Sequence, residues 1–152
     1  GHGQTEPGCD EWDGAGMTKA VTASALVGLG GCAGSLARYG LSLLAQRVVS
    51  GWPAGTFAAN CLGCLVIGMV AEAASRGEAL SPEARLLLAT GFCGGFTTMS
   101  SMVYETGQML RADEYAHAAA YVGSTLAASL VAFFTGIVVV RLAIRMAGGL
   151  WN

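Results

Sequence analysis

Residues 91–101 read GFCGGFTTMSS, and they lie inside an apolar segment that runs from about residue 85 to residue 110. Two adjacent glycines followed by threonines and serines make a poor continuous helix, because glycine leaves the backbone unrestricted and hydroxyl side chains compete for backbone hydrogen bonds. Non-helical backbone is tolerated at membrane depth only where protein or a water-filled cavity surrounds it. The stretch therefore predicts a broken transmembrane helix, and breaks of this kind often form ion sites.

Three further apolar segments lie on either side of this one, at about residues 20–45, 55–74 and 115–140. Each of the four is long enough for a helix of about 20 residues, which spans the ~30 Å hydrocarbon layer of a bilayer. In the whole chain 53% of residues are hydrophobic and 12% are charged, whereas soluble domains have about 25% charged residues. The sequence predicts an all-α integral membrane protein with four transmembrane helices, the third of them broken.

Two short motifs predict where these helices end and begin. Trp52-Pro53 predicts a loop between the first two segments, because proline disfavours helical geometry in the residue before it. Ser81-Pro82-Glu83 predicts a helix start, with serine as the N-cap, proline at the first helical position and an acidic residue in the first turn.

The first sixteen residues differ from the rest of the chain because they contain four acidic residues and no basic one. We interpret residues 1–16 as a disordered acidic tail or an expression remnant, and residues 17–152 as a four-helix membrane channel domain. The net charge of the chain is −2, and no basic stripe indicates a nucleic-acid partner. Lysine and arginine are nearly balanced between the two sides of the predicted bundle, so the positive-inside rule gives only a weak preference for one orientation.

Polar side chains at membrane depth are expected to line any pathway through so small a bundle. A dehydrated anion needs hydrogen-bond donors in place of water, and the segments are rich in them. The candidates are Asn60, Thr97, Thr98, Ser100, Ser101, Glu105, Tyr121, Thr125 and Ser129. The last three recur at every fourth residue and so share one helix face. The alternative interpretation is that these hydroxyls only join helices to one another.

Charged residues within the segments allow two interpretations each. Arg38 either concentrates anions at a vestibule or extends its side chain to the lipid head groups. An ionised Glu105 would repel an anion, but a protonated Glu105, or one that accepts hydrogen bonds from hydroxyl groups, would be tolerated. The rival role is a proton relay in a transporter.

Catalytic and metal-binding patterns are weak. Cys61 and Cys64 have C-x-x-C spacing, but no histidine or second cysteine pair accompanies them, so we interpret the cysteines as packing residues. His117 has no acidic or cysteine partner in the pattern. The sequence predicts no enzyme activity.

Three pieces of sequence carry a resemblance to a known family. They are GGCAGSLARY at residues 30–39, GTFAAN at residues 55–60 and GFCGGFTT at residues 91–98. With these pieces in this order and spacing, the chain resembles the Fluc/CrcB family of fluoride channels over residues 20–140. The resemblance implies an antiparallel, dual-topology homodimer with two narrow fluoride pores along the subunit interface. It also implies a structural sodium ion at the dimer centre, bound by the backbone carbonyls of Gly94 and Thr97 from each subunit.

The resemblance further assigns the site residues. Arg38 maps to the vestibule arginine, and the anion pathway maps to Asn60, Thr98, Met99, Ser101, Met102, Glu105, Tyr121, Thr125 and Ser129. The family sequence after the two threonines is Phe-Ser-Thr-Phe, whose phenylalanines present ring edges to fluoride, whereas this chain reads Met99-Ser100-Ser101-Met102. The positive edge of an aromatic ring is stronger than the slight positive charge of a methionine methyl group. Fluoride throughput and selectivity are the properties that this departure affects.

We therefore expect passive fluoride export across the cytoplasmic membrane of a prokaryote, lowering intracellular fluoride. The implied partners are fluoride, the lipid bilayer and a second copy of the chain. The balanced charge and the small-residue faces Gly30/Gly34 and Gly91/Gly95 favour the dimer. One alternative is a proton-coupled exporter like the small multidrug resistance proteins, which carry a carboxylate in the first helix where this chain has none. The other is a non-conducting subunit of a hetero-oligomeric channel, which the two methionines suggest.

Overall fold

The computed structural model describes residues 14–49, 51–75 and 80–149, and every regular element within them is helical. The elements are α1 (Gly14–Val48), α2 (Ala54–Ser75), α3 (Pro82–Arg85), a π-helical segment (Leu86–Cys93), α4 (Gly94–Phe96), α5 (Met99–Arg111) and α6 (Tyr115–Gly149). The elements from Pro82 to Arg111 follow one another as a third span. The third span, α1, α2 and α6 are each long and apolar enough to cross a membrane. The predicted all-helical fold with four such spans is therefore confirmed.

The boundaries of the helices follow the local sequence signals. Ser81 is the N-cap of α3, because its side-chain oxygen accepts a hydrogen bond of 3.1 Å from the backbone N–H of Ala84, as the motif predicted. Trp52-Pro53 lies between α1 and α2, again as predicted. Helix α1 begins at Gly14, so the domain boundary predicted at residue 17 lies inside this helix. The rest of the predicted tail, residues 1–13, falls outside the described residues.

Helix α1 packs closely against the first half of the third span. A Cβ atom added to Gly30 would overlap the carbonyl oxygen of Leu87, and one added to Gly34 would overlap that of Phe92. Any side chain at these two positions would force the helices apart, and in a membrane such close packing takes the place of the hydrophobic effect. The two glycines therefore set the distance between α1 and the third span.

The glycines of the third span take part in the same contact. A Cβ atom added to Gly91 would meet the backbone of Gly30, and one added to Gly95 would overlap the carbonyl of Gly31. We expected the small-residue faces of α1 and the third span to support a dimer. This expectation is wrong, since both faces are used within one subunit. The spacing of small residues indicates close helix packing, but it does not specify which chain supplies the partner helix.

Helices α2 and α6 pack along their length and run in the same direction. Cys61 lies beside Ser129, and further along both helices Glu72 pairs with Arg141. Helix α2 also contacts α1, and α6 also contacts α5. Helices α2 and α6 both contact α5, the second half of the third span.

Candidate ion site

The backbone is extended at two residues between α4 and α5. Thr97 has φ −80° and ψ 154°, and Thr98 has φ −151° and ψ 114°. In a continuous α-helix the N–H of Thr98 would donate to the carbonyl of Gly94. It donates instead to Oδ1 of Asn60 at 2.7 Å, and Nδ2 of Asn60 donates to the Thr98 carbonyl at 3.2 Å. The Asn60 side chain on α2 therefore replaces the helical acceptor of the Thr98 N–H, and it adds a donor to the Thr98 carbonyl, which as the N-cap carbonyl already begins α5.

A second replacement occurs at the start of α5. The N–H of Ser101 donates to Oγ1 of Thr98 at 3.1 Å, whereas a continuous helix would direct it to the carbonyl of Thr97. Thr98 is thus the N-cap of α5. The backbone carbonyls of Gly94 and Thr97 are therefore without the donors that a continuous helix would give them.

A cavity of ≈ 320 Å³ lies beside the interruption, between α2, the third span and α6. Eight of the predicted site residues line it: Asn60, Gly94, Thr97, Thr98, Met99, Met102, Thr125 and Ser129. Within the subunit Met102 is 5% exposed, whereas Met99 is 64% exposed. Met102 therefore belongs to the wall of the cavity and Met99 to its open side.

Arg38 and Ser35 of α1 both approach the last turn before the interruption. Nε of Arg38 donates to the carbonyl of Gly95 at 3.2 Å, and Oγ of Ser35 donates to the same oxygen at 3.4 Å. A cation near the carbonyl end of a helix is favourable, because the helix dipole is negative there. The half-buried Arg38 side chain is thus directed toward the third span.

Glu105 lies in a separate polar cluster near the start of α2. Its carboxylate accepts hydrogen bonds from Oγ1 of Thr56 at 2.7 Å and from the hydroxyl of Tyr121 at 2.6 Å. The fully buried Tyr121 ring also packs edge-on against Trp52, with centroids 5.7 Å apart. A second cavity of ≈ 50 Å³ is lined by Glu105 and Thr56 among others. Two hydroxyl groups thus donate to the two oxygens of the Glu105 carboxyl group.

Comparison with known proteins identifies the family. Residues 25–137 match the family described as CrcB-like protein, Camphor Resistance (CrcB). The chain belongs to the CrcB family. A protein named fluoride-specific ion channel FluC, from Chlorobaculum tepidum, is 50% identical over 117 residues, which cover 77% of this chain and 93% of the relative.

Two more distant CrcB relatives carry the same name. The protein from Prosthecochloris aestuarii is 41% identical over 125 residues, covering 82% of this chain and 98% of the relative. The protein from Sorangium cellulosum is 45% identical over 116 residues, covering 76% of this chain and 91% of the relative. With four apolar spans and these relatives, the chain is a multi-pass protein of the prokaryotic cell membrane.

The three CrcB motif pieces meet at the interruption, although they are far apart in the sequence. The first piece supplies Arg38, whose guanidinium reaches Gly95, and the second supplies Asn60, whose amide reaches Thr98. Both acceptors, the carbonyls of Gly95 and Thr98, belong to the third piece. The resemblance drawn from short motifs thus corresponds to one continuous region of the structure.

The predicted hydroxyl stripe on α6 is directed partly into the protein. The Tyr121 hydroxyl donates to Glu105, and Oγ1 of Thr125 donates to the Tyr121 carbonyl one turn earlier at 2.7 Å. Ser129 lies 4.0 Å from Sγ of Cys61. The Oγ1 of Thr98 donates to Oγ of Ser101. Four predicted site residues do not line the ≈ 320 Å³ cavity: Arg38, Ser101, Glu105 and Tyr121. In this conformation the hydroxyl protons of Tyr121 and Thr125 are engaged within the subunit.

Sequence reasoning missed an ion pair between α2 and α6. Glu72 is 7% exposed, and its Oε1 lies 3.0 Å from Nε of Arg141. A carboxylate inside an apolar segment is itself a signal, because a charge at that depth requires a partner. The sequence pattern predicted no acidic partner for His117. In the structure Oε2 of Glu114 lies 3.5 Å from Nδ1 of His117, at the exposed start of α6.

Proposed function

We propose that this chain is a fluoride channel that exports fluoride passively and has no enzyme activity. The observation that carries the proposal is the hydrogen bonding of Asn60 to Thr98, which joins two CrcB motif pieces beside the cavity. The relatives named fluoride-specific ion channel supply the identity of the ion. The proposed direction of transport, out of the cytoplasm, follows the gradient of accumulated fluoride.

The donors beside the cavity suit a small dehydrated anion. Asn60 has two N–H bonds on Nδ2 and uses one of them for the Thr98 carbonyl, which leaves one for an anion. The first backbone N–H groups of α5 have no helical acceptor, and the helix dipole makes this end positive. The described residues that line the cavity include no carboxylate, so no fixed negative charge opposes an anion there.

The test of the function is fluoride efflux from liposomes that contain only this chain, followed with a fluoride electrode. We expect fast release of fluoride and slow release of chloride, with protein-free liposomes as the control. A proton-coupled cation exporter and a non-conducting subunit would both leave fluoride inside the liposomes, so absence of release would overturn the proposal.

We also propose that the carbonyls of Gly94 and Thr97 bind a structural sodium ion. Sodium is a hard cation that prefers oxygen ligands, and these two carbonyls are among those that have lost their helical donors. Because the ligands are backbone atoms, Thr97→Ser is expected to keep sodium-dependent thermal stability in detergent, measured in sodium against N-methylglucamine. Thermal stability that does not depend on sodium in the wild-type chain would contradict the site.

The proposed working unit is an antiparallel homodimer with each chain inserted in either orientation. Its support is the nearly balanced basic charge and the open side of the cavity, where Gly94 and the apolar Met99 are exposed within one subunit. Single cysteines introduced as Glu83→Cys and Ala112→Cys, in a chain whose native cysteines are serine, mark opposite ends of the third span. An impermeant maleimide applied to intact cells is expected to label about half of the molecules at each end. Labelling confined to one end would exclude dual topology.

A further inference from the structure

Four sulfur-containing side chains line the cavity at the interruption. They are Cys64 of α2, Cys93 at the end of the π-helical segment, and Met99 and Met102 of α5. Three different elements of the fold therefore bring sulfur to one cavity. We propose that this cavity binds a soft monovalent metal ion of the Ag(I) or Cu(I) class, through the thiols of Cys64 and Cys93 and the thioether of Met102.

Burial and proximity favour these three ligands. Cys93 is 2% exposed and Met102 is 5% exposed, while Cys64 of α2 is half-buried. Both cysteines are free thiols. Met99 is 64% exposed and lies at the open side, where it is placed to contact an entering ion.

The chemistry of the ligand set selects the ion. Thiolate and thioether sulfur are soft donors that favour Cu(I) and its congener Ag(I), whereas sodium prefers oxygen. Within the described part of the chain, histidine, cysteine, aspartate and glutamate form no group of three that could hold a metal ion. We therefore assign the third ligand to the thioether of Met102, which favours soft over hard cations.

Charge balance suits a site at membrane depth. When Ag(I) binds, the S–H bond of one cysteine breaks, its proton passes to the buffer, and the sulfur electron pair forms the bond to the metal. One thiolate neutralises one monovalent cation, so the occupied site carries no net charge and avoids the cost of an unpaired ion in an apolar environment. No atom changes oxidation state in this step.

Occupancy would also obstruct the anion pathway. Cys64, Cys93 and Met102 share the cavity with Asn60 and Thr98, so a bound ion would stand beside the donors that we assign to fluoride. This consequence rests on the proposed fluoride function, whereas binding of the metal does not.

The test begins with calorimetric titration of silver nitrate into the purified chain in chloride-free detergent buffer. Cys9→Ser, Cys32→Ser and Cys61→Ser together form the background, which leaves Cys64 and Cys93 as the only thiols. We expect one Ag(I) per chain. Cys64→Ser or Cys93→Ser should weaken binding by about a hundredfold. Met102→Leu should weaken binding by about tenfold, which corresponds to about 1.4 kcal/mol. Met146→Leu, which changes an exposed methionine of α6 away from the cavity, is the matched control and should change nothing.

Two Ag(I) ions bound independently, or an affinity that Met102→Leu leaves unchanged, would overturn the site. Fluoride efflux from liposomes then tests whether the bound ion obstructs the pathway. Ag(I) should stop efflux through the background variant but not through the same variant with Cys64→Ser. Unaffected efflux from a silver-loaded background variant would refute the obstruction. A chain that binds Ag(I) but releases no fluoride keeps the metal site and overturns the proposed function. A chain that releases fluoride but binds no Ag(I) keeps the function and overturns the metal site.

Discussion

Replacing Asn60 with leucine is expected to lower fluoride efflux by at least about a hundredfold. The amide makes hydrogen bonds of 2.7 Å to the Thr98 N–H and 3.2 Å to the Thr98 carbonyl. Leucine keeps the bulk but leaves the Thr98 N–H unpaired, at about 1–3 kcal/mol. It also removes the N–H that we assign to the anion. Because each 1.36 kcal/mol in a barrier is about tenfold in rate, losing both contributions produces the stated effect.

Two further variants separate the roles of this amide. Gln108→Leu is the matched control, since it removes an amide from the exposed side of α5, where the side chain only donates to the Tyr104 hydroxyl, and efflux should be unchanged. Asn60→Asp keeps an acceptor for the Thr98 N–H but replaces the donor with a negative charge, so it should also stop efflux. Efflux near the wild-type rate in Asn60→Leu, with normal gel filtration and thermal stability, would show that the amide is not part of the pathway.

Local signals predicted the elements of the fold more completely than their contacts. The four spans follow from apolar segments long enough for a bilayer, and the start of α3 follows from Ser81-Pro82-Glu83. These features depend on neighbouring residues, whose physical effects are short-ranged. The sequence alone therefore predicts where helices begin and end.

The sequence patterns did not predict the contacts between residues that are far apart in the chain. The pattern identified Asn60, Glu105 and Tyr121 as polar groups at membrane depth, but not that Asn60 holds the Thr98 backbone or that Tyr121 donates to Glu105. A residue type reveals which donors and acceptors a side chain has. Which of them are already paired depends on the packing of helices, and this decides whether a donor is available to an ion.

The glycine faces illustrate the same limit. Gly30 and Gly34 were correctly interpreted as positions of close helix approach, but the approaching helix is the third span of the same chain. A spacing of four residues describes one surface of one helix. The dimer proposal consequently depends on charge balance and on the open cavity, and the labelling experiment tests it directly.

The two methionines of α5 differ in their surroundings, and we expect their substitutions to differ accordingly. Met102 is 5% exposed in the cavity wall, whereas Met99 is 64% exposed at the open side. The family resemblance implies aromatic ring edges at the corresponding positions. If the methionine methyl groups serve as weak positive ends, fluoride contacts them directly and the donors around them carry more of the dehydration cost.

Met102→Ile should therefore reduce fluoride efflux sharply, because isoleucine keeps the bulk and removes the polarisable thioether, and Met99→Ile should reduce it to a smaller extent. Phenylalanine at either position restores a positive ring edge and should preserve efflux. Met146→Ile, on the exposed face of α6, is the matched control. Equal efflux from the wild type and both isoleucine variants would mean that the methionines only fill space. If the wild type releases no fluoride and the double phenylalanine variant releases it rapidly, this chain has lost a fluoride conduction that its fold still supports.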